Sequence, residues 1–305
     1  LLTKLFNKLK KMNNRSILSG RDVSKFVYKS LSGRISALKD KKITPGLAVI
    51  LVGNNPASEV YVRSKTKTFN KLHLRTKTIR LPLNITQNDL IKSISELNDS
   101  PQFHGILVQL PLPAHIESDV IIKSIDPNKD VDGFHPENAG LLSIGKPRFI
   151  PCTPKGIMRI LQFYNINLNG KHVVVVGRSN IVGRPISILT SLKMENANGT
   201  TTLCHSGTKD IELYTRLADI VIVALGLPKF LKGKMIKKGT VVIDVGINRV
   251  EDSSDKGYKL VGDANWDEIV GKTHAITPVP GGVGPMTIAM LVENTIEAAE
   301  NYISI

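Results

Sequence analysis

Short, continuous apolar runs alternate with segments of helical period along most of the chain. Residues 16–42 repeat Val23, Phe26, Val27, Leu31, Ile35 and Leu38 at helix spacing, and residues 47–52 (LAVILV) then read as a buried strand. Gly53 to Pro56 turn the chain, with Asn55 placed to cap and Pro56 to open a helix through about residue 71. A strand over 76–80, a helix over 89–98, a strand over 105–110 and a helix over 118–125 follow. Residues 126–155, rich in Pro, Gly, Asn and Asp, read as a long functional loop between two lobes. Alternation resumes with a helix over 155–163 and strands over 173–176, 200–203, 220–224 and 241–245. A last helix over 286–302 carries Ile288, Leu291, Val292, Ile296 and Ala299 and needs a surface to cover that stripe. Strict strand–helix alternation predicts an α/β protein of two lobes: an N-terminal αβα lobe and a Rossmann-like lobe with a parallel sheet, the last helix crossing back to pack on the first lobe. The expected boundaries are 15–154 with 288–305 for one lobe and 155–287 for the other.

The run KHVVVVGRSNIVGRP at 171–185 places four valines before a glycine turn and a helix start. Gly177 lets the chain turn tightly, Gly183 is expected to let backbone approach a ligand, and Pro185 suits a first helical turn. Such a helix start aims N–H groups at an anion, as a dinucleotide phosphate requires. The spacing is G-x5-G instead of the usual G-x-G-x-x-G, so an ordinary strand–helix corner stays open on this segment alone. After the strand at 200–203 come Cys204, His205, Ser206, Gly207, Thr208 and Lys209, with no acid before Asp210. A free ribose 2′-hydroxyl is usually met by an acid here, whereas Arg178 and Ser206 suit a 2′-phosphate, which favours NADP over NAD.

Composition narrows the class without naming a chemistry. The chain has 305 residues, 41% of them hydrophobic, and no apolar run near the roughly 20 residues of a membrane span. Cys152 and Cys204 make neither a disulfide framework nor a metal cluster, and the seven histidines lack ligand spacing, so no metal is expected. The formal charge of +15 is spread over the length without an aromatic-interleaved basic stripe, which argues against nucleic acid as a partner. Residues 1–14 are acid-poor and basic. They read equally as a transit peptide, which would send the protein to an organelle such as the mitochondrion, or as an extension ahead of Met12 in a cytoplasmic protein.

Three more segments carry candidate chemistry. Tyr61 and Lys65 lie four apart on one helix face, a ring beside an amine. A partly desolvated lysine there becomes useful for acid–base work, although spacing alone fits a surface pair equally. Gln109 ends the strand GILVQ, at the carboxyl edge where open α/β sheets bind ligands. Asp130 and Asp132 sit in a glycine turn and can accept hydrogen bonds from the amino edge of a flat heterocycle, or can simply form the turn. Residues 277–287 (TPVPGGVGPMT) make an ordered loop whose backbone can face a flat ligand.

Together these segments closely resemble one family, the bifunctional methylenetetrahydrofolate dehydrogenase/methenyltetrahydrofolate cyclohydrolases. The likeness is carried by PASEVYVRSKTK at 56–67, GILVQLPLP at 105–113, DPNKDVDGFHPENAG at 126–140, PCTPKGI at 151–157, VVVVGRSNIVGRP at 173–185, VVIDVGINR at 241–249, VGD at 261–263 and ITPVPGGVGPMT at 276–287. It implies hydride transfer from 5,10-methylenetetrahydrofolate to NADP, then hydrolysis of the methenyl product to 10-formyltetrahydrofolate in the same cleft, within one-carbon metabolism and purine biosynthesis. The alternative is a monofunctional dehydrogenase using NAD. By resemblance Lys65 is the central hydrolytic residue, assisted by Gln109, with Tyr61 stacking on folate, Asp132 holding its pterin edge and Ser58 supporting the lysine. Arg178, Ser179 and Ser206, with Gly177, Gly183 and Ile247, match cofactor contacts. Gly281, Gly284 and Thr287 match the loop near nicotinamide and folate. The family also implies a homodimer and folate substrates that include polyglutamylated forms. Two departures stand out: Leu72-His73-Leu74 replaces a glycine-isoleucine pair, and residues 193–199 (KMENANG) are longer or more polar than the usual link.

Overall fold

The computed structural model describes residues 16–253 and 257–303, so the segment 1–14 lies outside the described residues. Two compact units divide the chain, one of residues 24–156 with 287–303 and the other of residues 16–23 with 157–286. The first strand, β1 (Ser16–Ile17), precedes the helix Gly20–Asp40. Residues 16–17 were expected to begin that helix; instead they pair in parallel with Ala275–Ile276, and the Leu18 N–H continues the ladder onto the Ile276 carbonyl at 2.9 Å. Two residues are too few to show a strand period, so the sequence pattern could not reveal them.

In the unit of residues 24–156, β2 (Gly46–Val52) is the fully buried centre of a parallel sheet, flanked by β3 (Arg75–Leu81) and β4 (Gly105–Val108). Burial on both faces is why its sequence is a continuous apolar run. Because the chain goes from β2 to β3 on one side and β4 on the other, the crevice at the carboxyl ends of β2 and β4 is a topological switch point. The helix Pro56–Lys71 starts as its sequence predicts: the Asn55 side chain accepts the N–H groups of Ala57 and Ser58 at 3.0 and 3.1 Å. It ends with His73 at φ +55°, the Leu74 N–H reaching back to the Phe69 carbonyl at 3.0 Å. Glycine would take that left-handed position without steric cost, so the first departure sets a side chain at a strained residue. Core packing is supplied by Ile50, Leu90, Ile94, Ile106 and Ile121, from the strands and the helices Gln87–Asn98 and Ser118–Ser124.

The segment 126–155 is not the loop its composition suggested, because it contains the helix Pro136–Ser143. His135 accepts the Glu137 N–H through Nδ1 at 3.1 Å and Pro136 fills the first turn, signals that a weak apolar period concealed. Asp130 braces the segment by accepting from the His135 N–H at 2.7 Å and Asn138 Nδ2 at 2.9 Å. The final helix, Val283–Ile303, packs back on this unit: Asn294 Nδ2 donates to the carbonyls of Val131 and Ile150, and Lys155 Nζ donates to Asn294 and Glu297.

The other unit is built on six parallel strands in the order β1-β11-β8-β7-β5-β6. They are β5 (His172–Val176), β6 (Thr200–Cys204), β7 (Ile220–Val223), β8 (Val241–Asp244) and β11 (Ala275–Ile276), with β1 at one edge. A separate antiparallel hairpin joins β9 (Asn248–Glu251) to β10 (Tyr258–Val261). The four valines of β5 are fully buried between β6 and β7. Strand order reverses between β5 and β7, which sets a second switch point at their carboxyl ends.

Candidate active site

Lys65 is a buried cation in the unit of residues 24–156. It is only 7% exposed, and its Nζ donates to Gln109 Oε1 at 3.1 Å. Gln109 cannot turn its amide freely, because its Nε2 donates to the Leu110 carbonyl at 2.8 Å and its N–H to the Ile50 carbonyl at 2.9 Å. The strand end therefore fixes the carbonyl oxygen toward the lysine. Burial pushes the Lys65 ammonium down from its ordinary pKa, opposed by the charges of Asp132 and Cys152. Burial also pushes the Asp132 carboxyl up, against the pull of Lys65. Both shifts favour neutral forms, as expected for charges withdrawn from water.

Tyr61 lies one turn before Lys65, 41% exposed, with a hydroxyl whose pKa is raised by burial. Ser58, buried, shares that helix face. Asp132 borders a small cleft with Leu110, Ile122 and Phe134. Cys152 was not singled out from the sequence for any role, yet its thiol is buried beside Asp132 and Lys65, pushed well up by burial and by the Asp132 charge. Its place in the motif PCTP was the one available signal. A cavity of about 540 Å³ is lined by His104, Lys129, Arg148 and Tyr302, beyond the amino end of β4. Its two cations are already engaged, Lys129 with three carbonyls at 2.6 to 3.2 Å and Arg148 with Asn138 and Glu137.

In the other unit, Gly177 (φ +119°) turns the chain after β5; a Cβ there would lie 2.2 Å from the Ala224 carbonyl oxygen at the end of β7. Gly183 stands close against the same turn: a Cβ there would lie 1.9 Å from the Gly177 carbonyl oxygen. Ser179 Oγ accepts the N–H groups of Val182 and Gly183 at 3.2 and 3.3 Å, closing the turn ahead of the helix Gly183–Ser191. Arg178 and Ser206 are both exposed at the carboxyl ends of β5 and β6. The turn presenting Ser206 is held by Thr208 Oγ1 accepting the His205 N–H at 2.9 Å. Asp210 stands past this turn at φ +51°, ahead of the helix Ile211–Leu217.

The residues expected in the 277–287 loop are divided. Gly281 (φ +110°) packs beside Arg21, whose N–H donates to the Gly281 carbonyl at 3.2 Å, and Gly284 leaves room 3.2 Å from Ile247 Cδ1. Thr287 lies in the final helix, its Oγ1 3.0 Å from Thr153 Oγ1. Among the described residues no group of three His, Cys, Asp or Glu could hold a metal ion, and no helix is long and apolar enough to cross a membrane.

Residues 18–132 match the family described as tetrahydrofolate dehydrogenase/cyclohydrolase, catalytic domain, and residues 151–303 match its NAD(P)-binding domain. The chain is 49% identical over 292 residues to a bifunctional protein FolD of Chloroherpeton thalassium, covering 94% of this chain and 99% of the relative. A crystal structure of the bifunctional methylenetetrahydrofolate dehydrogenase/cyclohydrolase of Campylobacter jejuni is 49% identical, with TM-score 0.89 over 94% of this chain and 99% of that one. The dehydrogenase-cyclohydrolase of Trypanosoma brucei, solved with NADP and an inhibitor, is 38% identical with TM-score 0.89 over 95% and 99%.

Proposed function

The chain belongs to the tetrahydrofolate dehydrogenase/cyclohydrolase family, and from that membership we infer what its two sites do. It oxidises 5,10-methylenetetrahydrofolate to the 5,10-methenyl cation with NADP and hydrolyses that cation to 10-formyltetrahydrofolate. The observation that carries the hydrolytic half is the Lys65 amine held by Gln109 at 3.1 Å in a buried setting.

Bound NADP supplies a hydride acceptor. The glycine turn after β5, the exposed Arg178 and Ser206, and the absence of an acid from 205 to 209 fit its 2′-phosphate. Tyr61 stacks on the folate and Asp132 accepts from its pterin edge, so the methylene carbon is held still for hydride transfer. For hydrolysis, Lys65 must be able to take a proton. Desolvation already lowers its pKa, and a cationic methenyl group nearby lowers it further. Water then adds to the methenyl carbon as the neutral amine accepts its proton, and Gln109 keeps that amine aimed. The proton is returned to the folate nitrogen that leaves as the ring opens, and the hydroxyl proton is released as the formyl C=O forms.

The retained Lys65–Gln109 pair speaks against the monofunctional NAD alternative. We further propose a cytoplasmic homodimer that accepts polyglutamylated folates, with its product used in purine synthesis. The test is direct. Oxidation rates with NADP and NAD at equal concentration, and nucleotide-free loss of the methenyl absorbance, are expected to show NADP preference and enzyme-dependent hydrolysis. A preference for NAD refutes the Arg178 and Ser206 assignment, and hydrolysis no faster than in buffer refutes the bifunctional reading. Sedimentation at micromolar concentration tests the dimer, which a monomer would refute.

A further inference from the structure

The motifs VVIDVGINR and VGD supply two buried carboxylates that the chemistry above leaves unused. Asp263 has no exposed surface and Asp244 is 4% exposed. Asp263 Oδ2 accepts the N–H groups of Leu225 and Gly226 at 2.6 and 2.9 Å, and its Oδ1 accepts from Asn248 Nδ2 at 2.8 Å. Asp244 Oδ1 accepts from the N–H groups of Gly246 and Asp263 at 3.0 and 2.9 Å, and its Oδ2 from Ala264 at 2.9 Å. Thr277 Oγ1 accepts the Asp244 N–H at 2.7 Å, which joins the start of the TPVPGGVGPMT loop to the same network.

The surroundings make room for these groups. A Cβ on Gly246 would lie 2.1 Å from Asp263 Oδ1, and one on Gly262 would lie 1.8 Å from Asp244 Oδ2. Five backbone N–H groups thus converge on two carboxylates, in the segments that leave the carboxyl ends of β7 and β8 and in 263–264. That is the edge of a parallel sheet where ligands bind, beside the reversal of strand order between β5 and β7. Ile247 stands between Gly246, tied to Asp244, and Asn248, tied to Asp263. Leu225 and Gly226 follow Ala224, against which the Gly177 turn packs.

We propose that Asp263, backed by Asp244, is a positioning residue for hydride transfer: it pins the turns after β7 and β8 so that Ile247 and the 225–226 backbone hold the nicotinamide end of the nucleotide. This rests on the NADP-dependent dehydrogenase reading above. The carboxylates touch neither substrate nor reacting atoms; they act through the turns they hold. Because the phosphate end of the nucleotide is held elsewhere, at Gly177, Arg178 and Ser206, misplacing these turns loosens the alignment of the hydride more than the binding of the nucleotide.

The contact between Asn248 and Asp263 gives a reciprocal test. Asn248→Asp sets a second carboxylate against Asp263. Adding Asp263→Asn restores a donor facing an acceptor, while the new amide oxygen can still take the Leu225 and Gly226 N–H groups. Contact pairs of this kind couple by factors of roughly 2 to 150, so the single variant is expected to lose about tenfold or more in kcat for hydride transfer. KM for NADP should change less, about threefold. Nucleotide-free hydrolysis should stay within about twofold of the parent, and the double variant should recover most of the lost kcat. Parental kcat in Asn248→Asp, a double variant as slow as the single one, or equal loss of hydrolysis and oxidation would each overturn the positioning role. A parent protein that does not oxidise methylenetetrahydrofolate with NADP would instead refute the functional reading beneath it.

Discussion

Replacing Lys65 by methionine keeps most of the side-chain volume and removes the amine. Gln109 Oε1 loses its donor, while Gln109 Nε2 keeps the Leu110 carbonyl and so holds its place. Positioned proton transfer contributes about 10²- to 10⁴-fold, so hydrolysis should fall by that factor, about 3 to 5 kcal/mol of barrier. Oxidation should fall far less, because Tyr61 and Asp132, the proposed folate contacts, are unchanged. The pH dependence of stability should change as well. The folded pKa of Lys65 lies below its ordinary 10.5, so between the two values the unfolded chain binds more protons and stability rises with pH. At neutral pH the parent therefore carries a desolvation penalty that methionine removes, while Asp132 loses its opposing charge and Gln109 Oε1 its donor. Nucleotide-free loss of methenyl absorbance, NADP reduction and urea unfolding from neutral to alkaline pH read the three quantities. Hydrolysis within about threefold of the parent, well short of the proton-transfer factor, would refute the role of the amine. A stability difference between parent and variant that stays constant from neutral pH up to the ordinary lysine pKa of 10.5 would refute the claim that the lysine is held against its solvation.

Gly183→Ala should abolish NADP-dependent oxidation and leave nucleotide-free hydrolysis intact, since its methyl would meet the Gly177 carbonyl oxygen inside the proposed cofactor turn; paired assays of the two activities check it. His73→Gly should stabilise the protein by about 1 kcal/mol by relieving a left-handed residue, measured as a shift in the urea midpoint. His104 is buried and its pKa is lowered to about 4, first by desolvation and then by Lys129 and Arg75. The unfolded state therefore takes up a proton that the folded state refuses as pH falls from about 6.5 to about 4, at a cost of about 3 kcal/mol across that window. His104→Asn, which can still accept from the Gly46 N–H, should show a shallower acid limb than the parent; parallel limbs would contradict this.

The fold class was legible because fully buried parallel strands read as unbroken apolar runs, and β2, β5, β7 and β8 are all of that kind. Helix starts were legible where chemistry marks them, as at Asn55 and Pro56. What stayed hidden was short or locally capped: β1 and β11 have two residues each, and Pro136–Ser143 shows little apolar period. At the candidate site, the spacing of Tyr61 and Lys65 gave a shared helix face but could not distinguish a solvated lysine from a buried one. Burial arises from tertiary packing, and so does the approach of Cys152 to Lys65, across 87 positions of chain. At Gly183 the sequence shows that a close approach is needed without showing which atoms come close, and the Gly177 carbonyl oxygen is one of them.

The strand β1 has a practical corollary. The edge of the six-stranded sheet is finished by residues 16–17, drawn from far outside the continuous stretch 157–286 that supplies the other five strands. A fragment cut as that stretch alone would leave β11 with its ladder groups bare, a template for association between molecules. Isolating a well-behaved nucleotide module would call for circular permutation, or for grafting the opening peptide onto the excised piece.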